Sequence, residues 1–150
     1  MYKIVFPAIL FFLSGCSSIP RTIEDLQKTG IKSDPYCYDE KIEIVANRIQ
    51  TYLKKCFKEG YVSYTAGGFL NEYKVYDGVI ESKEDEKIAY TAYMDNAAGL
   101  AYGLRVEIEE GEPQCPTRMD AIAMNRFWIP KIKKVDLAIQ GKNPSCFSLM

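Results

Sequence analysis

Five cysteines, eleven tyrosines and no histidine bound the chemistry open to this 150-residue chain. Cys37, Cys56, Cys115 and Cys146 form no CxxC pair and have no histidine beside them, so the spacing does not suit zinc. Four widely spaced cysteines imply two disulfides if the chain is exported, with free buried thiols as the alternative. The absence of histidine removes the commonest general base and metal ligand together. Carboxylates at Glu72, Asp77, Glu81, Asp95 and Glu107 fall on strand edges and turns, where acids are ordinarily solvated. Glu84-Asp85-Glu86 and Glu107-Glu109-Glu110 lack the spacing and the glycine of a calcium loop. No catalytic, cofactor or metal residue is assigned, and no cofactor is expected.

The fifth cysteine stands apart. Leu13-Ser14-Gly15-Cys16 closes an apolar run over residues 4–13 that follows a basic start at Lys3. These residues resemble the lipobox of bacterial lipoproteins. The resemblance implies cleavage before Cys16, a diacylglyceryl group on its sulfur and an acylated new amino terminus. Physical length agrees, because ten helical residues rise only about 15 Å, half of a hydrocarbon core of about 30 Å, and Pro7 weakens a spanning helix further. An ordinary signal peptide with a coincidental cysteine, or a buried strand, is the alternative. Ser17 lacks the aspartate that resembles an inner-membrane retention signal, so the expected location is the outer membrane, facing the periplasm.

The expected organisation is a signal peptide over 1–15, a lipid anchor and flexible tether over 16–36, and one globular domain over 37–150. Without residues 1–15 the chain still suffices for a compact unit that buries about two thirds of its unfolded surface. A formal charge of −1 from 19 basic and 20 acidic residues shows no basic excess, which argues against a nucleic-acid partner. Residues 17–36 mix Ser, Pro, Gly and charge, and as a coil would span about 25 Å on average and about 65 Å drawn out. A short helix over 22–27 would bury nothing on its own.

Residues 39–58 carry Ile42, Val45, Ile49, Tyr52, Leu53, Cys56 and Phe57 at helical spacing, with acids at the start, lysines at the end and Gly60 as the closing residue. Gly67-Gly68 reads as a turn, with a short strand over 61–65 as an option. Strand patterns follow over 70–82, 87–94 and 100–109; the last alternates apolar and polar residues. Asp77-Gly78 is read as a bulge within the first of these strands, with a hairpin turn as the alternative. Pro130 would cost about 3 kcal/mol inside a helix, so 117–124 is expected as a fourth strand and a helix starts between 125 and 130, ending at Gly141. Cys115-Pro116-Thr117-Arg118 and Asn125-Arg126-Phe127-Trp128 weakly resemble small Gram-negative lipoproteins of unknown function, which implies no activity. The fold class is α+β: two layers, in the order helix, four-stranded antiparallel sheet, helix, stabilised by disulfides.

If neighbouring elements alternate in direction, Cys37 and Cys115 arrive at one end of the domain and pair, leaving Cys56 for Cys146. A helix holds Cys37 and Cys56 about 28 Å apart, whereas a bridge needs Cα atoms within about 7 Å. A hairpin at Asp77-Gly78 would reverse the parity and favour Cys56 with Cys115.

Tyr76, Thr91, Tyr93 and Arg105 share the sheet face opposite the helices, with Glu72, Lys74 and Glu107 beside them. Tyrosine and arginine suit recognition because each joins apolar area to a polar tip; an uncovered face of good strand formers is the plain alternative. Tyr52, Tyr73, Tyr90, Tyr102 and Trp128 are expected in the core. The functional expectation is a non-catalytic envelope lipoprotein that binds a protein partner, of assembly, inhibitor or immunity type, through the open sheet face or an edge strand. A carrier of a small apolar ligand and a histidine-free enzyme are the rivals.

Overall fold

The computed structural model describes residues 19–66, 69–84, 86–96 and 98–146. The expected signal peptide, Cys16 and the Gly67-Gly68 turn lie outside them. The class is α+β with an antiparallel sheet and two disulfides, as the sequence implies. Among the described residues no helix is long and apolar enough to cross a membrane, and the two disulfides are compatible with an extracytoplasmic location.

In chain order the elements are α1 (Ile23–Thr29), β1 (Ile31–Lys32), β2 (Tyr36–Tyr38), α2 (Ile42–Cys56), β3 (Gly60–Ala66), β4 (Phe69–Val75), β5 (Gly78–Glu84), β6 (Lys87–Asn96), β7 (Gly99–Glu110), β8 (Thr117–Ala123) and α3 (Ile129–Ile139). The main sheet runs β1-β8-β7-β6-β5, and β2 also pairs with β8, so β1 and β2 together make one broken outer strand. β3 and β4 form a separate two-stranded ribbon. The expected fourth strand is β8, paired antiparallel with β7 from Leu104↔Ala123 to Glu110↔Thr117.

Helix α2 forms where the apolar stripe demands it. Ile42, Val45, Ala46, Ile49, Tyr52 and Leu53 are buried, with Glu43 in the first turn and Lys54 and Lys55 in the last. Its stripe meets Leu104, Val106 and Ile108 of β7, Met119 and Ala121 of β8, and Ile132, Val135 and Ile139 of α3 in one core. Arg48 reaches across from α2 to Glu40 at 2.8 Å and to the Ile139 carbonyl at the end of α3. Pro130 sits in the first turn of α3, where its missing N–H costs nothing. Gly141 follows in a left-handed conformation with φ 76°, so this terminus behaves as expected. Gly60 does not close α2. The helix ends at Phe57, whose N–H reaches the Leu53 carbonyl at 2.7 Å, and Gly60 instead opens β3.

The strand expected over 70–82 is two strands in two sheets. β4 leaves with β3, and at Tyr76–Asp77 the chain joins β6, with the Tyr76 N–H donating to the Asp95 carbonyl at 2.9 Å and Gly78 opposite Tyr93. The chain keeps its direction through this break, so the parity argument survives. Cys37 is bridged to Cys115 and Cys56 to Cys146, with Cα separations of 5.4 and 5.1 Å. Closing loops of 78 and 90 residues removes unfolded-state entropy on the order of 4 kcal/mol per bridge.

The larger correction concerns the tether. Residues 23–29 fold as α1 and pack on β7 and β8, on the face opposite α2 and α3. A capping box starts it, with the Asp25 N–H donating to Thr22 Oγ1 at 3.0 Å and the Thr22 N–H to Asp25 Oδ2 at 3.2 Å. Leu26 is fully buried, so the short helix finds on the sheet the burial it lacks alone. Gly30 ends α1 where a Cβ would collide with Ile122, and β1 then pairs with the end of β8. Upstream, the Tyr102 N–H donates to the Pro20 carbonyl at 3.0 Å. Among the described residues, contacts with the sheet are thus already made at Pro20, four residues after Cys16.

Leu26→Ala is expected to lower unfolding free energy by about 3 kcal/mol in urea titrations, as for a fully buried leucine, and Leu26→Met by less than about 1.5 kcal/mol.

Candidate functional site

The recognition face expected from the sequence is only partly a surface. Thr91 and Arg105 stand opposite one another on β6 and β7, and they are 1% and 6% exposed. The Arg105 Nε donates to Glu107 Oε1 at 2.6 Å and a terminal nitrogen to Thr91 Oγ1 at 2.9 Å. Gln27 of α1 donates to the same Glu107 oxygen at 3.2 Å. The four side chains thus form a polar knot that ties α1 to the sheet. Arg105 and Thr91 do lie on the face opposite α2 and α3, as expected, but they serve the interior. Truncating Arg105 would empty a buried site on the sheet and take the cation from the half-buried Glu107 carboxylate, at a cost in stability, so it would not probe a partner surface.

Tyr93 and Tyr76 part company with that pair. The Tyr93 ring lies across Gly78 on the edge strand, where a Cβ would collide with it, and packs 6.3 Å from the Tyr102 ring. Tyr76 is exposed, with the Lys74 ammonium 4.4 Å from its ring centroid. The two tyrosines remain near one end of the sheet without Thr91 or Arg105 between them and solvent.

α1 covers β7 and β8 and leaves the β5 side of this face open. A cavity of about 180 Å³ lies there, lined by Gln27, Ser82, Glu84, Lys87, Ala89, Arg105 and Glu107. Its outer wall is β5, which pairs with β6 from Gly78↔Tyr93 to Glu84↔Lys87. Among the described residues no backbone group takes the other side of β5. Ile80, opposite Thr91, is exposed in the middle of it. An edge with free N–H and C=O groups beside a polar cavity can accept an extended segment, taking its backbone on the edge and alternate side chains in the cavity.

A larger cleft lies at the surface among polar loops, lined by Glu110–Pro113 with Lys41 and Glu43. Among the described residues no three His, Cys, Asp or Glu side chains group as metal ligands.

A second arrangement was missed in the sequence. Lys131, on α3, is 7% exposed, its ammonium 3.9 Å from the Trp128 ring centroid and 5.9 Å from that of Phe57. Those rings stack 5.7 Å apart. Burial pushes the Lys131 amine down to about 8, against the opposing pull of Asp77, with Lys134 lowering it further. Burial also raises the Asp77 carboxyl, with the Asp95 backbone and Lys131 acting against it. The available signal was the spacing of Trp128, Lys131, Ile132 and Val135, which sets the lysine on the inner side of α3. Gly103, where two β7 residues oppose the single Ala92, is the other unread requirement: a Cβ there would collide with Trp128.

Neither a protein-family model, nor a curated protein, nor a solved structure matches the chain.

The folded Lys131 amine is less basic than in the unfolded chain, so at this group the unfolded protein binds more protons and stability rises with pH from pH 8 to about pH 9; nearer pH 10 the buried Tyr38, Tyr52 and Tyr90 hydroxyls, which burial raises, act in the opposite direction. Thermal denaturation should show this rise. Lys131→Met should abolish it while leaving stability at pH 7 unchanged or higher by about 1 kcal/mol.

Proposed function

We propose that the protein is a non-catalytic lipoprotein of the bacterial cell envelope, anchored through Cys16, that binds a protein partner by strand addition to β5. The observation that carries this reading is the seven-residue edge Gly78–Glu84, unpaired on its outer side among the described residues and bordered by the polar cavity at Arg105 and Glu107. Main-chain hydrogen bonds along such an edge supply affinity, and the pockets beside it supply selectivity. Glu81, Lys83 and Glu84 are exposed on the edge and discourage its pairing with another copy of itself. The lipobox over 13–16 and the two disulfides support the envelope side of the reading, and the outer membrane is the location consistent with Ser17.

The edge is tested by paired proline substitutions. Successive residues of an antiparallel strand point their N–H groups to opposite sides, so of Val79→Pro and Ile80→Pro one removes a ladder hydrogen bond and the other only an outward donor. The variant that keeps the parental melting temperature should lose partner crosslinking in intact cells by roughly tenfold, the effect of about 1.4 kcal/mol. Undiminished crosslinking by that variant excludes β5. Metabolic labelling with a palmitate analogue should mark the protein and should fail after Cys16→Ala.

A further inference from the structure

The distance between the anchor and the fold carries a further step, which rests on the lipid-anchor reading of Cys16. The Pro20 carbonyl accepts the Tyr102 N–H at 3.0 Å, and the Arg21 guanidinium donates to the carbonyls of Ala98, at 2.9 Å, and Leu100. Residues 20 and 21 are therefore clipped to the start of β7. Four residue steps from Cys16 to Pro20 reach at most about 14 Å. A cysteine sulfur carrying diacylglyceryl sits at headgroup level, so this end of the sheet has no length of chain with which to leave the surface.

The same end presents the most exposed large apolar side chain described. Phe127 is 87% exposed, on a turn that follows Met124, whose N–H donates to the Gly103 carbonyl at 2.9 Å, one residue along β7 from the Pro20 contact. The turn is pinned: the Phe127 N–H donates to Asn125 Oδ1 at 3.0 Å and the Trp128 N–H to the Asn125 carbonyl at 3.0 Å. Trp128 packs inward over Gly103 while Phe127 points away from the core. The exposed Arg126 precedes Phe127 in the turn, and Ile19, 48% exposed, precedes Pro20. A fixed turn that spends its rigidity on presenting an aromatic ring beside an arginine matches the apolar and cationic chemistry of a bilayer interface.

We infer that the end of the sheet at Pro20, the start of β7 and Phe127 lies against the lipid bilayer, with the Phe127 ring in the headgroup region. The occupant is the membrane that carries the protein's own anchor. β7, twelve residues long, then rises from the surface by up to about 36 Å if it stands upright. Its far end, with Glu110 and Gly111 beside the start of α2, faces away from lipid. Edge β5 stands beside β6 and is reached laterally.

The test uses the acylated full-length protein in vesicles of phosphatidylethanolamine and phosphatidylglycerol. Benzoylphenylalanine placed at position 127 or at position 44 is irradiated and the adducts are read by mass spectrometry. Both positions are exposed, so both replacements leave the core intact. Lipid adducts should form at position 127 at roughly ten times the yield at position 44, and Phe127 carrying the probe should show no adduct to a second copy. Equal yields at the two positions, or protein adducts at 127, on a chain whose mass shows Cys16 acylated, overturn the orientation and leave the anchor standing. A mass showing Cys16 unmodified overturns the anchor reading and the orientation with it.

Discussion

A guanidinium in the interior is tolerable only when its charge and its donors are matched, and the Arg105 group meets that condition through Glu107, Thr91 and the cover of α1. An isolated charge at this depth would cost several kcal/mol, on the order of an entire domain's margin of stability. The pairing therefore makes the position of α1 more than a local preference. Gln27 completes the Glu107 carboxylate and Leu26 closes over the sheet beside it. Seven residues of helix, too few to persist in water, become part of the domain because they solve a desolvation problem on β7.

Several architectural features follow from that cover. The sheet has α2 and α3 on one face and α1 on part of the other, so the uncovered strip narrows to β5 and its neighbour β6. Docking α1 fixes the chain before it as well, through Pro20 and Arg21 on the start of β7. A segment read as a spacer of some tens of ångströms is, from Pro20 on, part of the fold. The disulfides act at other places: Cys37–Cys115 holds the broken outer strand β2 to the loop before β8, and Cys56–Cys146 holds the chain beyond α3 to the end of α2.

What was legible in the sequence was what repeats. The stripe of α2, the alternation in β7, the stop at Pro130 and the direction of successive strands each rest on several residues agreeing; assumed alternation of direction brought Cys37 to Cys115, and Cys56 with Cys146 came by elimination. The side of the sheet holding Thr91 and Arg105 was legible too, since alternation assigns sides. Their burial was not, because it depends on a helix of seven residues with one buried leucine, which leaves almost no periodic signal. The break at Tyr76–Asp77 was hidden for a similar reason: a strand that changes sheets keeps its pattern and its direction. Gly60 matched a common helix ending, yet α2 stops three residues earlier, where the Phe57 ring is drawn into the stack with Trp128. Lys131 was overlooked because a lysine is usually solvated, and here the aromatic pair and Asp77 help to make its buried position tolerable.

The account stands or falls on whether α1 belongs to the cooperative unit. Amide hydrogen exchange followed by mass spectrometry on the processed protein measures this directly, through peptides covering residues 23–30. The Leu26 and Gly30 amides, bonded to the carbonyls of Thr22 and Leu26 at 3.2 and 2.8 Å, should exchange slowly, at rates approaching those of β7. Exchange of these amides at unstructured rates, with β7 still protected, would contradict it.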